Sequence, residues 1–272
     1  MTDTQTKNTV TLTANEEKFA QALYQAYTSQ KPLQETTWKD TVTDDQTAYQ
    51  VQARLTELKQ ETVGGYKVSL TSEETQKMFA STTPLYGAQV KSHFLASPVK
   101  RSLKTLMEPL VEVELEFRAK EDLRASDSLE ELMHKTQVAA GMEVPDSRFS
   151  NWFPKLSKYM VMSDAAVGGL VLYGKEFETT NVFKDVADVA TVKCELYHND
   201  EKVREGVSAE VLGNPLKSLH WLVAKLEEQG KSFKAGQMVS SGTFVLPPKL
   251  SVGKWSARFD HGLGAVDFEV TD

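Results

Sequence analysis

The stretch "VEVELEF", Val111 to Phe117, decides how this chain is read. Glu112, Glu114 and Glu116 alternate with Val111, Val113, Leu115 and Phe117. Strict alternation of β-formers with acids predicts a strand with one face buried. All three carboxylates then project from the opposite face. Neighbours at i and i+2 sit ~6.5 Å apart, where two unit charges repel by ~0.6 kcal/mol in water and ~2.5 kcal/mol at an effective dielectric of 20. The pattern is therefore cheap on a wet face. On a face that lines a pocket, it calls for a cation. Alternation alone favours the wet face, because antiparallel sheets commonly expose one side.

Other strand signals lie around it. Candidates are Leu110–Phe117, Met142–Val144, Gly169–Tyr173, Ala190–His198, Lys202–Gly206, Gln237–Ser241, Trp255–Phe259 and Val266–Val270. Asn199-Asp200 is a hairpin-turn signal between two of them. Tyr66, Val68 and Leu70 alternate with Lys67, Ser69 and Thr71, a further strand with a polar face. Helix signals dominate only before residue 64. Thr13 and Glu16 form a capping box ahead of Phe19, Leu23 and Tyr27. Thr43 and Gln46 form a second, ahead of Ala48, Val51, Leu55 and Leu58, with Gly64-Gly65 closing the helix. Thr71 with Glu74, and Ser128 with Glu131, start short helices. Asn214-Pro215 starts a long one that ends before Gly230. Strands outnumber helices without a βα rhythm, so the expected class is α+β. Residues 10–64 read as a helical N-terminal subdomain and residues 65–272 as a β-rich catalytic domain. Met1 to Thr9 are polar and expected to fray.

Composition narrows the function. The chain has 272 residues, 40% hydrophobic and 25% charged, which is ordinary for a soluble globular protein. The net charge of -7, with no basic patch, argues against nucleic acid as a partner. The lone Cys194 excludes an internal disulfide and a Cys-rich zinc site. No basic-then-apolar leader and no ~20-residue apolar run is visible, so a cytoplasmic protein with no membrane partner is expected. The five histidines are scattered, and there is no P-loop or nucleophile elbow.

The carboxylates and one lysine remain. Glu143, in "GMEVPDSR", sits in a second short β-like segment. Two acids from one strand face and one from another could supply the oxygen ligands that a hard divalent cation takes. Lys67, between Tyr66 and Val68, reads either as an ordinary exposed strand lysine or as a desolvated base with a lowered pKa.

Several segments, in order, resemble the 2-keto-4-pentenoate hydratase family of the fumarylacetoacetate hydrolase superfamily. They are "GYKVSLTS" (65–72), "PLVEVELEF" (109–117), "MEVPDSR" (142–148), "LGNPLKSLHWLVAKL" (212–226), "AGQMVSSGTF" (235–244) and "GLGAV" (262–266). The resemblance implies a mixed β-roll behind a helical N-terminal region. It implies Mg²⁺ or Mn²⁺ held by Glu112, Glu114 and Glu143, with Glu116 outside the ligand set as a supporting or solvated group. It places Lys67 in the acid/base role and the substrate carboxylate at Leu70 and Thr71. The implied substrate is a small 2-oxo or 2-hydroxydienoic acid, hydrated to a 4-hydroxy-2-oxo acid, or in related enzymes decarboxylated or hydrolysed at a C–C bond. A homo-oligomer is expected by analogy. The chain departs from the family pattern at Leu85, where an acid is usual, and at Ser69, where glycine is usual. It departs again at Ala165 and Val167, where an Asn and a Ser are lost. Those changes leave open a non-catalytic, metabolite-binding paralogue.

Overall fold

A computed structural model describes residues 12–272, so the fraying expected of Met1 to Thr9 and the start of the first subdomain at residue 10 lie outside it. Its helices are α1 (Ala14–Ser29), α2 (Glu35–Trp38), α3 (Asp45–Leu58), α4 (Glu73–Met78), α5 (Leu129–His134), α6 (Lys158–Ser163), α7 (Thr179–Val182) and α8 (Pro215–Glu228). Its strands are β1 (Val63–Ser69), β2 (Leu85–Val90), β3 (Phe94–Ala96), β4 (Val99–Ser102), β5 (Glu112–Ala119), β6 (Thr136–Val144), β7 (Leu170–Tyr173), β8 (Phe177–Glu178), β9 (Lys193–His198), β10 (Glu201–Val207), β11 (Met238–Ser240), β12 (Gly253–Phe259) and β13 (Gly264–Thr271).

Among the described residues the strands form two mixed sheets. The larger runs β2-β1-β11-β5-β6-β7-β3, with β8 also on β6, and the smaller runs β10-β9-β12-β13-β4. Strands β12 and β13 pack on β6, which joins the two sheets through one apolar core. The α+β class is as expected. Helices α1 and α3 pack on each other, and α3 lies against α6 and β2. Phe19, Leu23, Val51 and Leu55 thereby join the same core as the sheet residues.

Local chemistry explains most of the boundaries. Thr13 and Glu16 do form the capping box of α1, with Thr13 N donating to Glu16 Oε2 at 2.7 Å. Ser128 and Glu131 cap α5 in the same way. Asn214 caps α8 with Pro215 in its first turn, and Gly230 follows at φ 68°. Asn199 and Asp200 adopt φ 49° and 68°, the two left-handed residues of a type I′ hairpin turn between β9 and β10.

Three expectations are corrected. The cap of α3 is Asp44, whose carboxylate accepts from Thr47 N at 2.8 Å, not Thr43. The cap of α4 is Ser72, paired with Thr75, not Thr71 with Glu74. In both cases a neighbouring side chain competes for the same free N–H groups and wins by one residue. Gly64-Gly65 does not close a helix but lies inside β1. A Cβ on Gly65 would fall 1.8 Å from the Met238 carbonyl oxygen, so glycine is what lets β1 and β11 pair closely.

Candidate active site

The acidic face of "VEVELEF" is buried. Strand β5 lies between β11 and β6 in the larger sheet. Its antiparallel register with β6 sets Glu112 opposite Glu143, Glu114 opposite Gly141 and Glu116 opposite Ala139. Glu114, Glu116 and Glu143 are each at most 1% exposed, and Glu112 is half-buried at the wall of a pocket. One ligand oxygen from each of Glu112, Glu114 and Glu143 lies within 4.8 Å of the other two. At that spacing each charged pair repels by about 3.5 kcal/mol at an effective dielectric of 20. The wet-face reading of this strand is therefore overturned.

Lys67 approaches from β1 and ion-pairs with Glu143; both side chains are almost fully buried. The exposed-lysine reading fails. So does the expected lowering: burial disfavours the charge on Lys67, but Glu143, then Glu112 and Glu114, outweigh it and hold the ammonium above the ordinary lysine value. The carboxylates respond in the opposite sense to their usual chemistry. Burial, reinforced by Glu143, pushes Glu112 up to about 7. Burial and the surrounding acids hold Glu114 well above the ordinary carboxylate range, and burial also raises Glu143 against the pull of Lys67. Four acids thus face one ammonium.

Glu116, expected to support the ligands or to be solvated, is buried and tied into the site. Ser240 Oγ on β11 lies 2.5 Å from Glu114 Oε2 and 3.0 Å from Glu116 Oε1. Gly242 N donates to the same Glu114 oxygen at 2.6 Å. The Glu116 carboxylate occupies space that a side chain at residue 141 would need: a Cβ on Gly141 would lie 2.3 Å from Glu116 Oε1. Ser240 and Gly242 belong to "AGQMVSSGTF", but their spacing alone assigns them no role. The signal was there in the Ser-Ser-Gly run beginning at the last residue of a strand.

The residues present suit a hard cation. Glu114 Oε1 and Glu143 Oε2 are buried and have no hydrogen-bond donor among the described residues. The donors are all carboxylate oxygens, the set that Mg²⁺, Mn²⁺ and Ca²⁺ favour. In a buried cluster this acidic, the alternative to a bound cation is protonation.

The pocket beside the cluster brings the expected residues together. Lys67, Leu70, Thr71 and Glu112 all line it. Leu70 sits at φ 58°, a left-handed conformation that a leucine adopts only under constraint. Gln76 Nε2 holds its carbonyl at 2.9 Å, and Leu212 N donates to the Thr71 carbonyl at 2.9 Å. The departures from the family pattern separate. Val167 lines the pocket, at the end of a left-handed run in which Ala165, Ala166 and Val167 have φ of 51°, 55° and 50°. Leu85 is a buried β2 residue paired with Ser69 and is not part of the lining. Asp164, the surviving acid of that segment, is bound to Arg148, with Nε to Oδ1 at 2.5 Å. Asp146 accepts from Met107 N and Glu108 N at 3.0 and 2.8 Å. "MEVPDSR" thus contributes one acid to the site and uses its other charges to brace the loops around it.

No protein-family model matches the chain. The chain is 30% identical to a 2-keto-4-pentenoate hydratase of Paraburkholderia xenovorans (strain LB400), over 93% of its own length and 94% of the relative's. Its fold is similar to that of 4-oxalocrotonate decarboxylase from Pseudomonas putida G7, complexed with magnesium and adipate, at TM-score 0.87 and 24% identity over 96% of this chain and 99% of that one. It is similar, at TM-score 0.58 and 13% identity over 76% and 88%, to fumarylpyruvate hydrolase from Pseudomonas aeruginosa in complex with Mn²⁺ and pyruvate.

Proposed function

This chain belongs to the 2-keto-4-pentenoate hydratase family, and from that premise we propose that it is a divalent-metal-dependent hydro-lyase that converts a 2-hydroxy-2,4-dienoic acid into a 4-hydroxy-2-oxo acid. The observation that carries the reading is the convergence of Glu112, Glu114 and Glu143 within 4.8 Å beside a pocket lined by Lys67.

Glu112, Glu114 and Glu143 would hold the cation, Mg²⁺ or Mn²⁺. When bound, it supplies Lewis-acid stabilisation for negative charge developing on the 2-oxo oxygen of the substrate. Ser240 and the Gly242 amide fix one oxygen of Glu114, which leaves the other free to face the cation. Leu70 and Thr71 receive the substrate carboxylate. Lys67 moves protons at the substrate carbons. Lys67 gives its proton to C5 and recovers one from the 2-hydroxyl, and water then adds its oxygen at C4 and a proton at C3. Neutralising the acids around Lys67 removes what holds its proton, so the filled site favours proton transfer from Nζ. The helices before residue 64 buttress the catalytic region that runs from residue 65 onward. The family resemblance supports a cytoplasmic homo-oligomer; no described helix is long and apolar enough to cross a membrane.

The test is the loss of dienol absorbance of 2-hydroxypenta-2,4-dienoate with metal-stripped protein, before and after Mg²⁺ or Mn²⁺ is added. Metal-dependent loss supports hydration; none with either ion sinks it. One observation favours a second reading, decarboxylation of a 2-oxo acid: apart from Lys67 and Glu112, the pocket presents no titratable side chain to guide a water. Release of CO₂ from a 2-oxo diacid without any dienol hydration would establish that alternative.

A further inference from the structure

The pocket has two unlike ends. At one stand Lys67, Glu112 and the acids behind them. The rest of the wall is made largely by Phe79, Trp152, Phe153, Val161 and Val167. Phe153 packs against both other aromatic residues, with ring centroids 6.4 Å from Phe79 and 5.4 Å from Trp152. Trp152 gives its indole N–H to the Glu108 carbonyl at 2.8 Å, so it adds surface without a free donor.

The lining itself offers no uncommitted cation. Lys67 is the single cationic side chain of the lining and is paired with Glu143. Arg148 gives its guanidinium to Asp164 and, at 2.7 Å, to the Gly168 carbonyl. Three of the hydroxyls are engaged too, and the other two, on Ser69 and Thr71, belong to the segment that follows Lys67. Ser72 and Thr75 cap α4, and Thr243 donates to the Val245 carbonyl at 3.0 Å. A carboxylate placed against this wall would be desolvated with no free cation of the lining to pair with, which is costly. The free space is about 50 Å³, room for a short chain rather than a bulky group.

We infer that this chain selects 2-oxo and 2-hydroxydienoic monoacids ending in a short alkyl group and rejects their dicarboxylic counterparts, with Phe79, Phe153, Val161 and Val167 as the selecting residues. The inference rests on the proposed function, since it takes the metal-side end to bind the 2-oxo acid group. An unpaired buried carboxylate predicts a preference of about tenfold or more between ligands matched in length.

Calorimetric titration of the Mn²⁺-loaded protein reads this without turnover. Three probes separate the possibilities: pyruvate, 2-oxohexanoate and 2-oxohexanedioate. The expected result is that pyruvate binds and 2-oxohexanoate binds at least about tenfold more tightly than 2-oxohexanedioate. Phe153 is half-buried, so the head group of Phe153→Arg can reach solvent in the free protein. That variant is expected to shrink or invert the ratio. Equal affinities, or a preference for the diacid in the unmodified protein, overturn the inference while pyruvate binding leaves the proposed function standing. Failure of pyruvate to bind overturns both.

Discussion

Glu112 on β5 stands directly across the ladder from Glu143 on β6, and Lys67 ion-pairs with Glu143 from a third strand, β1. Two carboxylates paired across a buried ladder are unfavourable by themselves. With Glu114 and Glu116 on the same face, one lysine cannot balance them. The site is therefore arranged around a charge that the side chains do not supply.

Replacing Glu114 by glutamine removes a ligand oxygen and one buried negative charge. Mn²⁺ affinity measured by calorimetry should fall by more than about 100-fold, beyond what loss of a supporting contact typically costs. Thermal stability of the metal-free variant should equal or exceed that of the metal-free parent, because a repulsive charge is gone. A marked loss of metal-free stability would show that Glu114 serves the fold instead.

The metal-free protein should also lose stability as pH rises through the window in which the site ionises. Glu112 is raised from the ordinary carboxylate value, 4.5, to about 7, and Glu114, Glu116 and Glu143 are raised as well. A folded-state pKa above the unfolded one gives stability that is complete below the unfolded value and is lost as pH rises through the folded value. For Glu112 the window is 4.5 to about 7. His93, which burial holds well below 6.5, pulls the other way, since its contribution is lost as pH falls below 6.5. Comparing the parent with Glu114→Gln cancels His93. The parent should lose more stability across the window, and saturating Mn²⁺ should abolish that loss, because metal affinity rises as the ligands deprotonate.

Lys67→Met should separate proton transfer from metal binding. Turnover should fall by about 10²- to 10⁴-fold, the usual contribution of a positioned acid or base. The metal-bound protein should remain folded, while the metal-free variant loses about 3–5 kcal/mol, the usual cost of leaving a buried charge without its partner. Retained turnover would remove Lys67 from the mechanism.

Gly141→Ala should disturb the site from behind. The new methyl group would press on the Glu116 carboxylate, with its three nearest atoms 2.3 to 2.8 Å away. The expected cost is about 1–3 kcal/mol in stability. Displacing Glu116 from Ser240 should also weaken Mn²⁺ binding by about 10-fold or more. Unchanged metal affinity would mean that Glu116 and Ser240 do not position Glu114.

The strand carrying Glu112, Glu114 and Glu116 was legible from alternation, but which way its acidic face pointed was not. Alternation fixes two faces; burial of the polar one depends on Lys67 and Ser240 arriving from strands distant in sequence. Gly64-Gly65 misled for a similar reason. Gly65 permits close approach to Met238, more than 170 residues away in the chain, and Gly64 permits close approach to Lys91. The shifts from Thr43 to Asp44 and from Thr71 to Ser72 are competitions between adjacent polar residues, which sequence spacing resolves poorly. Strand β2 and helix α6 carried no periodic signal strong enough to read. Val167 was legible as a departure from the family pattern, but only the fold shows that it lines the pocket while Leu85 does not.

The central claim is that Glu112, Glu114 and Glu143 jointly hold one divalent cation. Anomalous diffraction from crystals soaked in Mn²⁺ tests it most directly. The account predicts one strong manganese peak per chain, ligated by oxygens of all three glutamates, with Lys67 beside it and no carboxylate of Glu116 in contact. Manganese bound elsewhere, or no peak at saturating Mn²⁺ while Lys67 stays paired with Glu143, would contradict it.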